Sequence, residues 1–174
     1  MKTKQYFKII GLTVILVFCT SCDLATKWLA SNHLQFSRPV TIIDNVLELR
    51  YTENTAIAFS MLHSIHLDTR KWIIYSLSGV ALTFLLVLIW QVRKDSIWWL
   101  VALMLILSGA LGNLSERIMR GYVIDFIHIH YYDRFSWPIF NVADILITCG
   151  GIFLALLMFR KSPKLSGTQG ELEG

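Results

Sequence analysis

Four apolar runs, each near the length a helix needs to cross a bilayer, constrain this chain more than any other feature. They cover roughly residues 6–22, 72–92, 97–114 and 139–159 of a 174-residue sequence. About 20 apolar residues in helical form match a hydrocarbon core of about 30 Å. Lipid offers no partner to unpaired backbone groups, so such segments must be helices, and open strands are excluded. Composition agrees, because only 16% of residues are charged, where a soluble domain carries about a quarter. The expected class is an all-α membrane protein of four transmembrane helices with a small extracytoplasmic β element, a single domain over residues 1–161.

The flanks of the runs carry the expected signals. Trp28, Trp72, Trp90, Trp98, Trp99 and Trp137 cluster at span ends, where amphipathic rings favour the membrane interface. The short link 93–96 makes the second and third runs an antiparallel hairpin. The formal charge of +4 is spread over these flanks and forms no basic stripe with interleaved aromatics, so no nucleic-acid partner is expected. Lys2, Lys4, Lys8, Arg93, Lys94, Arg160, Lys161 and Lys164 crowd into about 25 residues on one side, while the other eight Lys and Arg are spread over about 70. The denser side should be cytoplasmic, which puts both termini inside and residues 23–71 and 115–138 outside.

Residues 40–59 alternate apolar and polar side chains around a turn-forming Asp44-Asn45, the pattern of a β-hairpin or small sheet on the outer membrane face. The tail 162–174 reads as a disordered cytoplasmic end. Met1 to Cys22 has the outline of a lipoprotein signal peptide, but three more apolar runs follow and the first span should be retained. Cys19, Cys22 and Cys149 all fall in apolar runs and read as small buried residues, not as a disulfide framework.

Carboxylates inside such runs need a reason. Asp144 lies about a turn inside the fourth run, where burial costs on the order of 2.5–3.5 kcal/mol on insertion scales. Asp125, in Val123-Ile124-Asp125-Phe126-Ile127, is the candidate partner. Two adjacent carboxylates cannot both ionise comfortably, so one keeps a proton and the pair can act as acid and base together. Hydrolysis by activated water requires that combination. Spacing alone does not bring the two acids together.

Several blocks resemble the lipoprotein signal peptidase family, a group of intramembrane aspartic proteases. Asp23-Leu24-Ala25-Thr26-Lys27 is similar to D-x-x-[TS]-K, and Asn54-Thr55-Ala56-Ile57-Ala58-Phe59 to N-x-G-x-A-F. Gly109-Ala110-Leu111-Gly112-Asn113-Leu114-Ser115-Glu116-Arg117 is similar to G-A-x-G-N-x-x-D-R. Val123-Ile124-Asp125-Phe126 and Phe140-Asn141-Val142-Ala143-Asp144 match V-x-D-F and F-N-x-A-D. The resemblance implies a catalytic dyad at Asp125 and Asp144, with Asn54, Asn113, Arg117 and Asn141 lining the site and binding substrate. It implies that Asp23 and Lys27 support the fold around it. It further implies diacylglyceryl prolipoproteins as substrates, membrane lipid as a partner, inhibition by globomycin-type cyclic peptides, no cofactor, and a monomer in the bacterial inner membrane with its active site near the outer leaflet. Gly109 and Gly112 suit close helix packing.

Ala56 and Ile57 depart from the pattern and bear on the shape of the outer loop. Glu116 keeps the charge of the usual aspartate with a longer reach. Other chemistries fit less well. His128 and His130, with Asp125 nearby, could be metal ligands on one face of a strand, but no further compact cluster completes a site, and His63 and His66 are distant; no metal is expected. Ser60 with Lys27 as a serine–lysine pair lacks an apolar setting. A small transporter would account for Asp144, but the chain has no internal repeat.

Overall fold

A computed structural model of the chain describes residues 2–55, 67–94, 96–132 and 134–161. Four helices are long and apolar enough to cross a membrane: α1 (Lys2–Leu34), α2 (Leu67–Val92), α3 (Ile97–Arg120) and α4 (Val142–Lys161). Four strands, β1 (Val40–Ile43), β2 (Leu47–Asn54), β3 (Val123–Tyr131) and β4 (Phe135–Ser136), form one antiparallel sheet in the order β1-β2-β3-β4. The departing sequence at Ala56 and Ile57, and Phe59, Ser60, His63, His66 and the tail 162–174, lie outside the described residues.

The four expected helices form, and two of them extend beyond their apolar runs. The first does not stop at Cys22 but continues as helix to Leu34, so Asp23 and Lys27 are helical residues. The reason is local: Lys27 lies one turn beyond Asp23 and their side chains pair at 2.7 Å, which neutralises both charges along the helix. The third span likewise runs on through Glu116 and Arg117 to Arg120. It ends where Gly121 adopts φ 83° and donates its N–H to the Arg117 carbonyl, a left-handed cap that glycine adopts without steric cost.

Helix α3 is the hub. Half of its most apolar stretch is buried inside the protein, against 11% for α2 and α4. Leu103, Met104 and Leu107 on α3 pack with Leu85 of α2 and with Leu12, Ile15 and Leu16 of α1. A stripe of small residues allows the close approach. A Cβ on Gly109 would stand 2.3 Å from the Ala143 carbonyl oxygen, and one on Gly112 would stand 2.3 Å from Asp23 Oδ2. The outer faces of α1, α2 and α4 present Phe, Leu, Val and Ile outward, as suits a lipid solvent. Cys149 shares such a face and is exposed, and Cys19 and Cys22 are half-buried. The expectation of buried cysteines is therefore corrected: in lipid, an apolar side chain need not seek the protein interior.

The hairpin at 40–54 forms as its alternation suggests, with Asn45 at φ 59° in the turn. Its partner is β3, from the segment 115–138. Ile124 and Phe126 of β3 pack on Ala30 and Leu34 of α1, which seats the sheet on the end of the bundle.

Candidate active site

The polar residues of the recognised blocks converge at the sheet end of the bundle, each delivered by a different element. Asp125 comes from β3, where it sits opposite Thr52 of β2, and Asn54 follows two positions later on β2. Asn113 comes from α3, Asp23 and Lys27 from α1, and Asn141 and Asp144 from the start of α4. Asp23, Lys27 and Asn141 are fully buried, and Asp125 is 3% exposed.

The start of α4 explains the placement of Asp144. The Asn141 side-chain oxygen accepts the Asp144 backbone N–H at 3.0 Å, while the Asp144 carboxylate accepts the Asn141 backbone N–H at 3.1 Å. This is a reciprocal capping box, which satisfies helix donors that would otherwise be orphaned. The same Asn141 donates its side-chain amide to Asp125 Oδ1 at 2.5 Å. One residue therefore touches both acids. Asp125 Oδ2 also accepts from the Asn54 amide at 2.8 Å. Asp144 Oδ1 accepts from the Asn113 amide at 3.0 Å.

Behind these contacts lies a buried charge network. Lys27 Nζ donates to Asp23 Oδ2 at 2.7 Å and to Asn113 Oδ1 at 2.8 Å. A cation on the Asn113 carbonyl oxygen leaves the amide nitrogen to face Asp144, so Lys27 sets the orientation of Asn113. Asp23 Oδ1 accepts the Ala143 backbone N–H at 2.8 Å, which ties α1 to the first turn of α4. Glu116 is 3.7 Å from Lys27 and 3.4 Å from Arg120. Its carboxylate also accepts the Ile124 N–H at 2.8 Å, next to Asp125 in the chain. The extra methylene of Glu116 thus ends on the β3 backbone. Each buried side-chain nitrogen and oxygen among the described residues has a hydrogen-bond partner, the condition under which burial of such groups is tolerated.

Arg117 stands within electrostatic range of Asp144 and Asp125. Among the described residues, the ion pairs run instead from Lys27, Arg120 and His128. Arg117 lends its carbonyl to Tyr75 Oη at 3.0 Å, an α2–α3 tie with no signal in the sequence motifs. Burial pushes the Asp125 carboxyl up to about 6, against the opposing hydrogen bond from Asn54 and with the help of the nearby Asp144 charge.

The two acids differ in access. Asp144 is half-buried and lines a cavity of about 250 Å³ with Trp137, Phe140, Ile145, Thr148 and Cys149. A larger cavity, about 670 Å³, lies at the other end of the bundle beside Lys8 and Arg93.

The family model for signal peptidase (SPase) II matches residues 15–160. A lipoprotein signal peptidase of Pseudomonas syringae pv. tomato is 38% identical over 157 residues, covering 90% of this chain and 88% of that one. One from Acinetobacter baumannii (strain AB307-0294) is 39% identical over 163 residues with the same coverage. A solved structure, described as a bacterial membrane enzyme determined by the in meso method at 1.9 Å resolution, aligns with a TM-score of 0.73 at 25% identity, covering 88% of this chain and 96% of that one.

Proposed function

This chain belongs to the signal peptidase II family, aspartic-type peptidases of the bacterial inner membrane that cleave lipoprotein signal peptides, and from that premise we propose that Asp125 and Asp144 are its catalytic dyad. The observation that carries this reading is Asn141, whose side chain holds Asp125 and whose backbone N–H holds Asp144. A water between the two carboxylates attacks the scissile carbonyl carbon. Asp144, which faces the cavity, takes the water proton. Asp125, the acid that burial keeps protonated further up the pH scale, gives its proton to the carbonyl oxygen. Collapse of the resulting diol breaks the C–N bond: the leaving amine takes the proton that Asp144 received, and one diol hydroxyl returns its proton to Asp125 as the carboxylic acid product forms. Asn54, Asn113 and Asn141 hold the acids, and Arg117 stands beside them to meet substrate backbone or developing charge.

The substrate in this reading is a diacylglyceryl-modified prolipoprotein, cut just before the lipidated cysteine. Its acyl chains lie along the apolar groove that opens at Asp144, and a globomycin-type cyclic peptide would occupy the same groove. Both termini are cytoplasmic, because an even number of spans returns the chain to the basic side and puts the sheet and site at the outer leaflet. The protein works as a monomer without a cofactor. A proton or ion path fits less well: Asp23, Glu116 and Asp144 gather at one end of the bundle and do not form a line across it.

The test is cleavage of a diacylglyceryl-modified prolipoprotein by the purified chain beside its Asp144→Asn variant. Cleavage by the wild type alone supports the dyad and the substrate together. A folded wild type that leaves the substrate intact overturns the substrate assignment, and an active variant overturns the role of Asp144.

A further inference from the structure

His128 and His130 fall two residues apart on β3, so strand alternation points both to one face, away from Asp125. The third member of their cluster comes from β2, eighty residues away in sequence. Glu48 is the register partner of His128. One ligand atom from each of Glu48, His128 and His130 lies within 4.8 Å of the others. The two imidazole rings are stacked with centroids 5.1 Å apart, so both nitrogen-bearing edges reach the same space.

We propose that Glu48, His128 and His130 form a binding site for a divalent transition metal of the zinc type. Two imidazoles and a carboxylate are a ligand set that zinc takes in three-residue sites with an open fourth position, and nitrogen ligands select it over magnesium or calcium. Bonds of about 2.0–2.2 Å require ligand atoms roughly 3.3–3.5 Å apart, so the site closes by small side-chain movements with no change of backbone. His128 Nδ1 is 2.8 Å from Glu48 Oε1, and its Nε2 is 2.8 Å from Ser136 Oγ. With the metal on Nδ1, the ring proton resides on Nε2 and is donated to Ser136. That is the outer contact a metal-bound histidine ordinarily makes, and it fixes the tautomer. A cavity of about 320 Å³, lined by both histidines, Tyr132, Arg134 and Ser136, leaves the fourth position open to water or a small anion, with Arg134 favouring the latter.

The ion would cross-tie β2 to β3 beside the irregular pairing between Leu49 and Thr52. The far ends of those two strands hold Asn54 and Asp125. Metal binding therefore stiffens the sheet that carries half of the acid pair, without entering the chemistry. The site stands whether or not the dyad reading does.

The experiment uses the untagged full chain in detergent, stripped with EDTA and titrated with Zn²⁺ by calorimetry and with Co²⁺ by visible absorption. One ion per chain, low-coordinate Co²⁺ bands and a metal-dependent rise in Tm are expected. His130→Asn and Glu48→Gln, made separately so that a folding failure in one leaves the other to decide, should each abolish them. Ser136→Ala should weaken binding about 10–100-fold. Absence of binding by the wild type in excess Zn²⁺, or binding that survives both ligand substitutions, would overturn the site.

Discussion

The two acids of the candidate site reach the same place by opposite means. Asp125 is carried by a strand and enclosed, with an amide donor on each carboxylate oxygen. Asp144 is carried by the first turn of a membrane helix, is held by a backbone N–H and the Asn113 amide, and opens on an apolar groove. Enclosure favours the neutral acid at Asp125, whereas the groove gives Asp144 access to water and to a substrate arriving from the lipid. The asymmetry supplies what acid–base hydrolysis needs, two carboxyl groups whose surroundings separate their roles. It also shows why neither half of the site is sufficient: the sheet positions one acid and the helix bundle the other, and Asn141 touches both.

The comparison breaks most completely if either proton carrier is removed. Asp144→Asn and Asp125→Asn should each lower the cleavage rate by at least about 10²–10⁴-fold while membrane insertion stays intact, measured on purified chain with a lipidated substrate. Full activity in either would leave the asymmetry without a catalytic meaning. Next in size is Lys27→Met, which leaves Asp23 buried without its cation and Glu116 with Arg120 alone, and removes the cation that orients the Asn113 amide. Breaking one side of a buried ion pair costs about 3–5 kcal/mol, so thermal unfolding in detergent should move sharply downward. Residual folded enzyme should cleave poorly, because Asp144 loses its oriented donor.

A subtler test separates the acids by pH. In the folded chain the Asp125 carboxyl is pushed from the ordinary 3.8 to about 6. Between those values the folded state holds more protons than the unfolded state, so stability falls as pH rises through the window and levels off above about 6. Asn cannot ionise, so Asp125→Asn should gain stability relative to the wild type as pH is raised from about 4 to 7, by up to about 3 kcal/mol. The lost hydrogen bonds of the variant are pH-independent, so the difference between the two pH values is the quantity to read. A wild type and variant that track each other across this range would refute the enclosure of Asp125.

Gly112→Ala sharpens the comparison from behind the site, because its Cβ would displace the Asp23 carboxylate that ties α1 to α4. Overpacking of this kind costs about 1–3 kcal/mol, visible as a lowered Tm, and should reduce activity through Asp144 more than through the sheet. The smallest expected effect is that of a chelator. EDTA should leave the cleavage rate unchanged, and loss with recovery on added zinc would move the chemistry to Glu48, His128 and His130.

The membrane class, the helix count, the hairpin link and the candidate acids were all legible along the chain. Hydrophobic length, flanking charge and residue type are one-dimensional signals, and the bilayer enforces them without reference to tertiary contacts. The capping box at Asn141 and Asp144 was also present in the residues, as Asn-x-x-Asp before an apolar run, although its second use in holding Asp125 was not. Helix continuation past Cys22 was legible in the one-turn spacing of Asp23 and Lys27, whereas the burial of that pair against α3, where Lys27 meets Asn113, was not.

The convergence of Asp125 and Asp144 on Asn141, the reach of Glu116 to the β3 backbone and the arrival of Glu48 beside His128 and His130 were decided by tertiary structure alone. Each joins elements whose relative position follows from packing: the sheet seated on α1 through Ile124 and Phe126, and α4 drawn against α3 at Gly109. The sequence by itself determined the solvent this protein folds in and the chemistry it carries. Only the close packing of four helices and one sheet decided which of those groups face one another, because hydrogen bonds and ion pairs act over about 3 Å and depend on geometry that residue spacing does not encode.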